Sequence, residues 1–234
     1  MCFNKEYSFT YSLIGLVIIR IMQNNPDKFH SLAHLPVIFY TIMEITQTIQ
    51  NFYVNDCKNK INVFLTNVAY VLIILQPLLW NYVYLFRSRK DKLSNKDETI
   101  LKYSIILSII WMFLHILRRF SFYGEYNNNF ESLKGKVTCT YKENDKHLYW
   151  NYRLYDFNYY LDANWFVYLS LFFIPGLLTD NKKSSILHLL GFIISHIYVY
   201  LNNNNFHEAG SLWCISSIPT LFIEILPILK KNYF

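Results

Sequence analysis

Apolar residues run through this chain in long stretches broken by short polar ones, and the most informative stretch is Leu35–Val54, LPVIFYTIMEITQTIQNFYV. About twenty helical residues cross the hydrocarbon core of a bilayer, so this run is long enough to do so. On a helix Tyr40, Glu44, Gln47, Thr48 and Asn51 recur at spacings of three and four and share a polar face, while Ile38, Ile42, Ile45 and Ile49 fall largely on other faces. Such a polar stripe belongs against protein or water, not lipid. The same patterning predicts seven spans, approximately Tyr7–Gln23, His34–Tyr53, Val63–Phe86, Tyr103–Leu117, Ala163–Thr179, Ser185–Leu201 and Gly210–Leu229. The expected fold is therefore all-α: one membrane domain over residues 1–234, built as a seven-helix bundle.

Punctuation supports this division. Asn24-Asn25-Pro26-Asp27 breaks the first helix after Arg20, whose long side chain can reach the headgroups. Pro77 within the third span leaves the carbonyl of Ile73 without its helical donor and predicts a kink. Pro175-Gly176 ends the fifth span. RSRKDKLSNKDETILK, residues 87–102, reads as a hydrophilic loop with six Lys and Arg residues. Arg118 to Asp162 is the one sizeable extramembrane segment, and within it Trp150, Leu154, Phe157 and Leu161 have the spacing of a helix lying in the membrane interface, or of an aromatic lid over the bundle.

Composition agrees with lipid as the solvent. Hydrophobic residues make up 53% of the 234, aromatics 19% and charged residues only 16%, and Val63–Phe86 is 24 residues without a charge. The net charge of +6 would suit nucleic acid, but the basic residues cluster beside apolar segments, so the expected partner is the bilayer and not nucleic acid. A small-molecule or lipid ligand is compatible with a polar interior, and the oligomeric state is open. No cleavable leader is expected, so the first helix stays. If the 87–102 loop is cytoplasmic, that side holds twelve Lys and Arg residues in short segments, against ten opposite, seven of them in the long loop. The N-terminus is then outside or lumenal and the C-terminus cytoplasmic.

An ionised carboxylate at the bilayer centre costs about 2.5 kcal/mol or more, so Glu44 should be protonated, paired or hydrated. Gln47, with Asn67 and Gln76 of the next span, would supply hydrogen bonds and with Glu44 form a ligand or proton pocket; a purely structural clamp between helices is the other reading. Metal chemistry has weak support: His188 and His196 stand eight apart, and no His-Glu-x-x-His motif occurs. A Schiff-base lysine inside the last span, a glycine-rich phosphate loop and the motifs of G-protein-coupled receptors are all missing, so no cofactor is expected. The four cysteines, Cys2, Cys57, Cys139 and Cys214, all fall at the non-cytoplasmic end of the drawn topology. Four cysteines allow three pairings, and Cys57 with Cys139, the two in hydrophilic loops, make the expected bridge.

Met1-Cys2, FYTIMEITQ around Glu44 and Gln47, Cys57, Gln76-Pro77, His147-x-x-Trp150 and the run from Glu208 through Trp213-Cys214 together resemble one uncharacterised multi-pass family met in large DNA viruses and unicellular eukaryotes. The resemblance covers most of the chain. It implies a membrane protein of no known activity, makes His147, Trp150, Glu208 and Trp213 candidates for the outer mouth of the bundle, and leaves open a transporting, sensing, structural or virion-membrane role. The lysine-rich and asparagine-rich loops depart from it.

Overall fold

The computed structural model describes residues 5–26, 34–89, 94–127, 133–142, 147–156, 165–179, 182–202, 208–210 and 212–213. Six α-helices carry the described chain: α1 (Lys5–Gln23), α2 (His34–Gln50), α3 (Lys60–Arg89), α4 (Asn95–Leu117), α5 (Trp165–Leu178) and α6 (Lys182–Leu201). Helix α3 is the one the others are arranged around, since α2, α4, α5 and the strand at 139–142 all pack on it. Its 30 residues continue through Pro77 without a break in the helix. Helix α1 lies on α2, where Gly15 is required: a Cβ there would come within 2.1 Å of the Thr41 hydroxyl. Small residues at such a seam let two backbones approach closely.

The burial pattern of α2 inverts the usual amphipathic order. Tyr40, Thr41, Glu44, Gln47 and Gln50 are buried, while Ile38, Ile42, Ile45 and Ile49 are exposed. Helix α4 behaves likewise, with Ser104, Ser108 and His115 inside and Ile106, Leu107, Ile109, Ile110 and Phe113 outside. In water such a surface would be an exposed apolar patch far beyond what soluble monomers carry.

Three helices are long and apolar enough to cross a membrane: Lys60–Phe86, Asn95–Leu117 and Lys182–Leu201. The remaining expected spans fall short for identifiable reasons. Helix α1 spends positions on Tyr7, Ser8, Thr10 and Ser12, α2 has 17 residues with Glu44 and Gln47 among them, and α5 has 14. The seventh stretch, 210–229, lies outside the described residues except for Gly210, Leu212 and Trp213.

Two expectations are corrected. The hydrophilic loop at 87–102 is mostly helical, because α3 runs on to Arg89 and Ser94 caps α4 by accepting a hydrogen bond from the Asp97 amide at 3.1 Å. Asp97 and Glu98 then sit in the first turn, where acidic residues favour a helix start. The fold is also mostly rather than wholly helical. Strands β1 (Cys139–Lys142) and β2 (Leu148–Asn151) pair antiparallel, with Thr140 opposite Trp150. Trp150 and Leu154 are therefore not on an interface helix, while Phe157 and Leu161 lie outside the described residues. Leu148, Tyr149 and Trp150 are buried within β2, and from Trp150 through Tyr152 to Leu154 buried residues alternate with Asn151 and Arg153, a period of two that suits the extension of a strand in an aromatic-rich run.

Candidate functional site

The hairpin and the segments around it form a cap over the end of the bundle where α2 turns into α3. Thr140 is the hub of its attachment. The Gln50 amide donates to the Thr140 hydroxyl at 2.9 Å, the Thr66 and Thr140 hydroxyls share a hydrogen at 2.7 Å, and Asn62 both accepts from the Thr140 amide and donates to its carbonyl. The Trp150 indole N–H donates to the side-chain Oε1 of Gln50 at 3.2 Å, which ties β2 to the same glutamine. Asn55, in the left-handed region at φ 64°, accepts from the Lys142 amide and donates to the Lys142 carbonyl. Asparagine tolerates that conformation because its side chain can close such turns. A disulfide joins Cys57 to Cys139, with Cα atoms 5.2 Å apart.

Behind the hairpin the cap holds a buried ion cluster. Arg118, with no exposed surface, donates to one oxygen of Asp156 at 2.9 Å, and Lys134 reaches both oxygens at 2.7 and 2.6 Å. The Tyr155 amide and the Arg118 carbonyl close the backbone beside it at 2.8 Å. Arg119 donates to Asn67 at 2.6 Å and to the Arg153 carbonyl, and lies over the Tyr70 ring. Burial lowers its pKa below the ordinary guanidinium value, and Tyr70, Tyr152 and Tyr155 oppose that shift.

Of the four residues expected to form one pocket, Glu44, Asn67 and Gln76 are engaged by different partners. Glu44, 2% exposed, is hydrogen-bonded to Ser8 on α1 and lies within electrostatic reach of Tyr11. One of its carboxylate oxygens, Oε2, has no hydrogen-bond partner among the described residues. Gln47 is buried one turn on. Asn67 is taken up by Arg119. Gln76 donates to the Met43 sulfur at 3.7 Å and accepts from the Tyr168 hydroxyl.

Gln76 instead meets two of the outer-mouth candidates. Trp150 and Trp213 line, with Gln76, Tyr168 and Leu133, a cavity of about 10 Å³ under the cap. That is room for about one water molecule. Leu133 adopts φ 69°, which is costly for a branched side chain, and its leucyl group reaches this cavity. Trp213 donates to the His188 carbonyl at 3.1 Å and packs on Phe172 and Phe173. His147 sits edge-on to Tyr198 of α6, and Glu208 is fully buried. Among the described residues no three of His, Cys, Asp and Glu are placed to hold a metal ion. The sequence also carries His30 and His34 four apart; His34 opens α2, and His30 lies outside the described residues.

Ser8 was not singled out from the sequence, although a signal was there. Ser8, Ser12 and Gly15 recur at spacings of four and three, the small-residue stripe of a close helix seam. Thr140 and Asp156 had no comparable signal, because their partners are brought together only by the fold of the cap.

No solved structure matches the chain. Uncharacterized protein R287 of Acanthamoeba polyphaga mimivirus is 26% identical over 233 residues, covering 93% of this chain and 91% of that protein. A family model matches residues 6–234, in agreement with the resemblance to an uncharacterised family met in large viruses, and the chain belongs to that family of unknown function, DUF5765.

Proposed function

We propose that this is a multi-pass integral membrane protein whose seven apolar stretches form a closed bundle, with a structural role in its membrane rather than a role as a conduit for solutes. The observation that carries the reading is the inverted face of α2, with Glu44, Gln47 and Gln50 inside and four isoleucines outside. An aqueous solvent would select the opposite arrangement. Passage of a solute has little support from an interior filled by Trp80, Trp111, Tyr168, Phe172 and Trp213. In the proposed topology the cap faces the non-cytoplasmic side, where an oxidising environment sustains the Cys57–Cys139 bridge. The mimivirus relative favours a virion membrane as the setting.

Extraction of membranes at alkaline pH tests the reading. The full chain should stay in the pellet with the lipid; release into the supernatant, as for a peripheral protein, would overturn it.

A further inference from the structure

Helix α1 packs mainly on α2 among the described residues, and the centre of that seam holds an ionisable group the structural reading does not use. Glu44 lies at the middle of α2, fully covered by its surroundings. Ser8, itself without exposed surface, hydrogen-bonds to the carboxylate, and the half-buried phenol of Tyr11 stands one helical turn further along α1 on the same side. Its Oε2 oxygen has no donor among the described residues. Among the described residues the titratable groups acting on this pair are the Tyr11 phenol and Tyr7 beside it, neither of them a cation; on α2 the Tyr40 hydroxyl is engaged by the Trp80 indole, and Met43 and Gln47, like Gln76 on α3, carry no titratable group. A carboxylate oxygen left without a partner in a dry interior is costly unless something positive joins it.

We propose that the α1–α2 seam is an intramembrane cation site, at which Glu44 takes up one positive charge on Oε2 while the hydroxyls of Ser8 and Tyr11 supply neutral oxygens. The proposal rests on the reading that α1 and α2 lie in the membrane. The charge is either a proton or an alkali cation, both hard positive ions that a carboxylate oxygen takes up, the first through a covalent O–H bond and the second by coordination. With the proton, an O–H bond forms on Oε2 and the carboxyl becomes neutral. With sodium, the ion is held by carboxylate and hydroxyl oxygens, the ligand type that hard cations select. Sodium would hold α1 against α2 by coordination, and the proton would do so by removing the cost of an uncompensated carboxylate at the seam; loss of either would loosen the seam at its middle.

The test uses the full chain in lipid nanodiscs, with wild type, Glu44→Gln and Ser8→Ala compared. Infrared spectra would be recorded across pH, and melting temperatures measured in sodium chloride against choline chloride at equal ionic strength. A protonated-carboxyl band that appears and disappears reversibly with pH in wild type and is missing in Glu44→Gln assigns the proton. A sodium-dependent rise in melting temperature that Glu44→Gln abolishes and Ser8→Ala weakens assigns the alkali cation. If wild type shows neither a pH-responsive band nor the sodium effect, the site is refuted and Glu44 is only a clamp between helices. Glu44→Gln keeps the shape of the side chain; should it nonetheless fail to fold, Ser8→Ala still decides the matter, since a bound cation predicts a weaker sodium effect or a moved pH midpoint of the band, and a clamp predicts neither a sodium effect nor a band that responds to pH. Alkaline extraction of the same wild-type membranes reads membrane insertion independently, so a failed site and a failed membrane reading give different results.

Discussion

At the scale of single residues, the structure rests on a few polar side chains whose partners are far away in sequence. Asp156 compensates two buried cations, so Asp156→Asn should leave Arg118 and Lys134 facing each other with too little negative charge. Breaking a buried ion pair by removing one partner costs about 3–5 kcal/mol. The expected outcome is a cap that becomes sensitive to limited proteolysis while the helices stay protected, with partial recovery in Asp156→Asn/Lys134→Met. Thr140 is a milder case: Thr140→Val strands the Gln50 and Thr66 groups and should cost about 1–3 kcal/mol, read from the shift of a denaturation midpoint. At the opposite extreme of size, Gly15→Val would drive methyl groups into Thr41. Overpacking of that kind costs about 1–3 kcal/mol. The melting temperature should fall, and Thr41→Ala in the same chain should restore part of it.

Among the elements, what was legible in the sequence depended on whether a helix alone set the pattern. The two faces of α2 could be read because a period of three to four separates Glu44 and Gln47 from the isoleucines whatever packs on them. The cap could not be read in the same way. Trp150 and Leu154 fit a helical spacing, and only the pairing of 148–151 with 139–142, with the buried alternation from Trp150 through Tyr152 to Leu154, distinguishes a strand, a pattern that needs the partner strand to have meaning. The direction in which Glu44 would find its neighbour was hidden for a related reason: Asn67 and Gln76 on the following helix looked suitable, but Arg119 and Tyr168 occupy them, and Ser8 on the preceding helix is the residue that reaches it. Removing the bridge as Cys57→Ser/Cys139→Ser tests how the cap is held. In the chain-entropy account a closed loop of 82 residues contributes about 4.5 kcal/mol. The variant should therefore melt well below wild type while keeping its hairpin, because the Thr140 contacts remain. Non-reducing mass spectrometry of the wild type should find Cys57 and Cys139 linked in one peptide pair; free thiol at both would contradict the pairing.

For the whole molecule, the outward isoleucines and inward glutamines together argue for lipid as the solvent, and the basic residues set the orientation proposed for it. A cysteine placed at Ser94, before α4, should be silent to an impermeant thiol reagent applied outside intact cells, whereas one placed at Lys136 in the cap should react. The reverse labelling would invert the topology without disturbing the fold. The bridge between Cys57 and Cys139 also imposes a timetable on how the protein is made. Its second half is synthesised 82 residues after the first, which at about 5–20 residues per second is an interval of roughly 4–16 s. In the proposed topology Cys57 waits for its partner on the far side of the membrane throughout that interval, while α3 and α4 are inserted. Closure would then begin only once α4 had delivered Cys139 to the same compartment. On that topology an oxidised cap would be a record that α3 and α4 were threaded in opposite directions, and a nascent chain with α4 misinserted would carry a Cys57 without Cys139, open to mixed-disulfide capture by the folding machinery of that compartment.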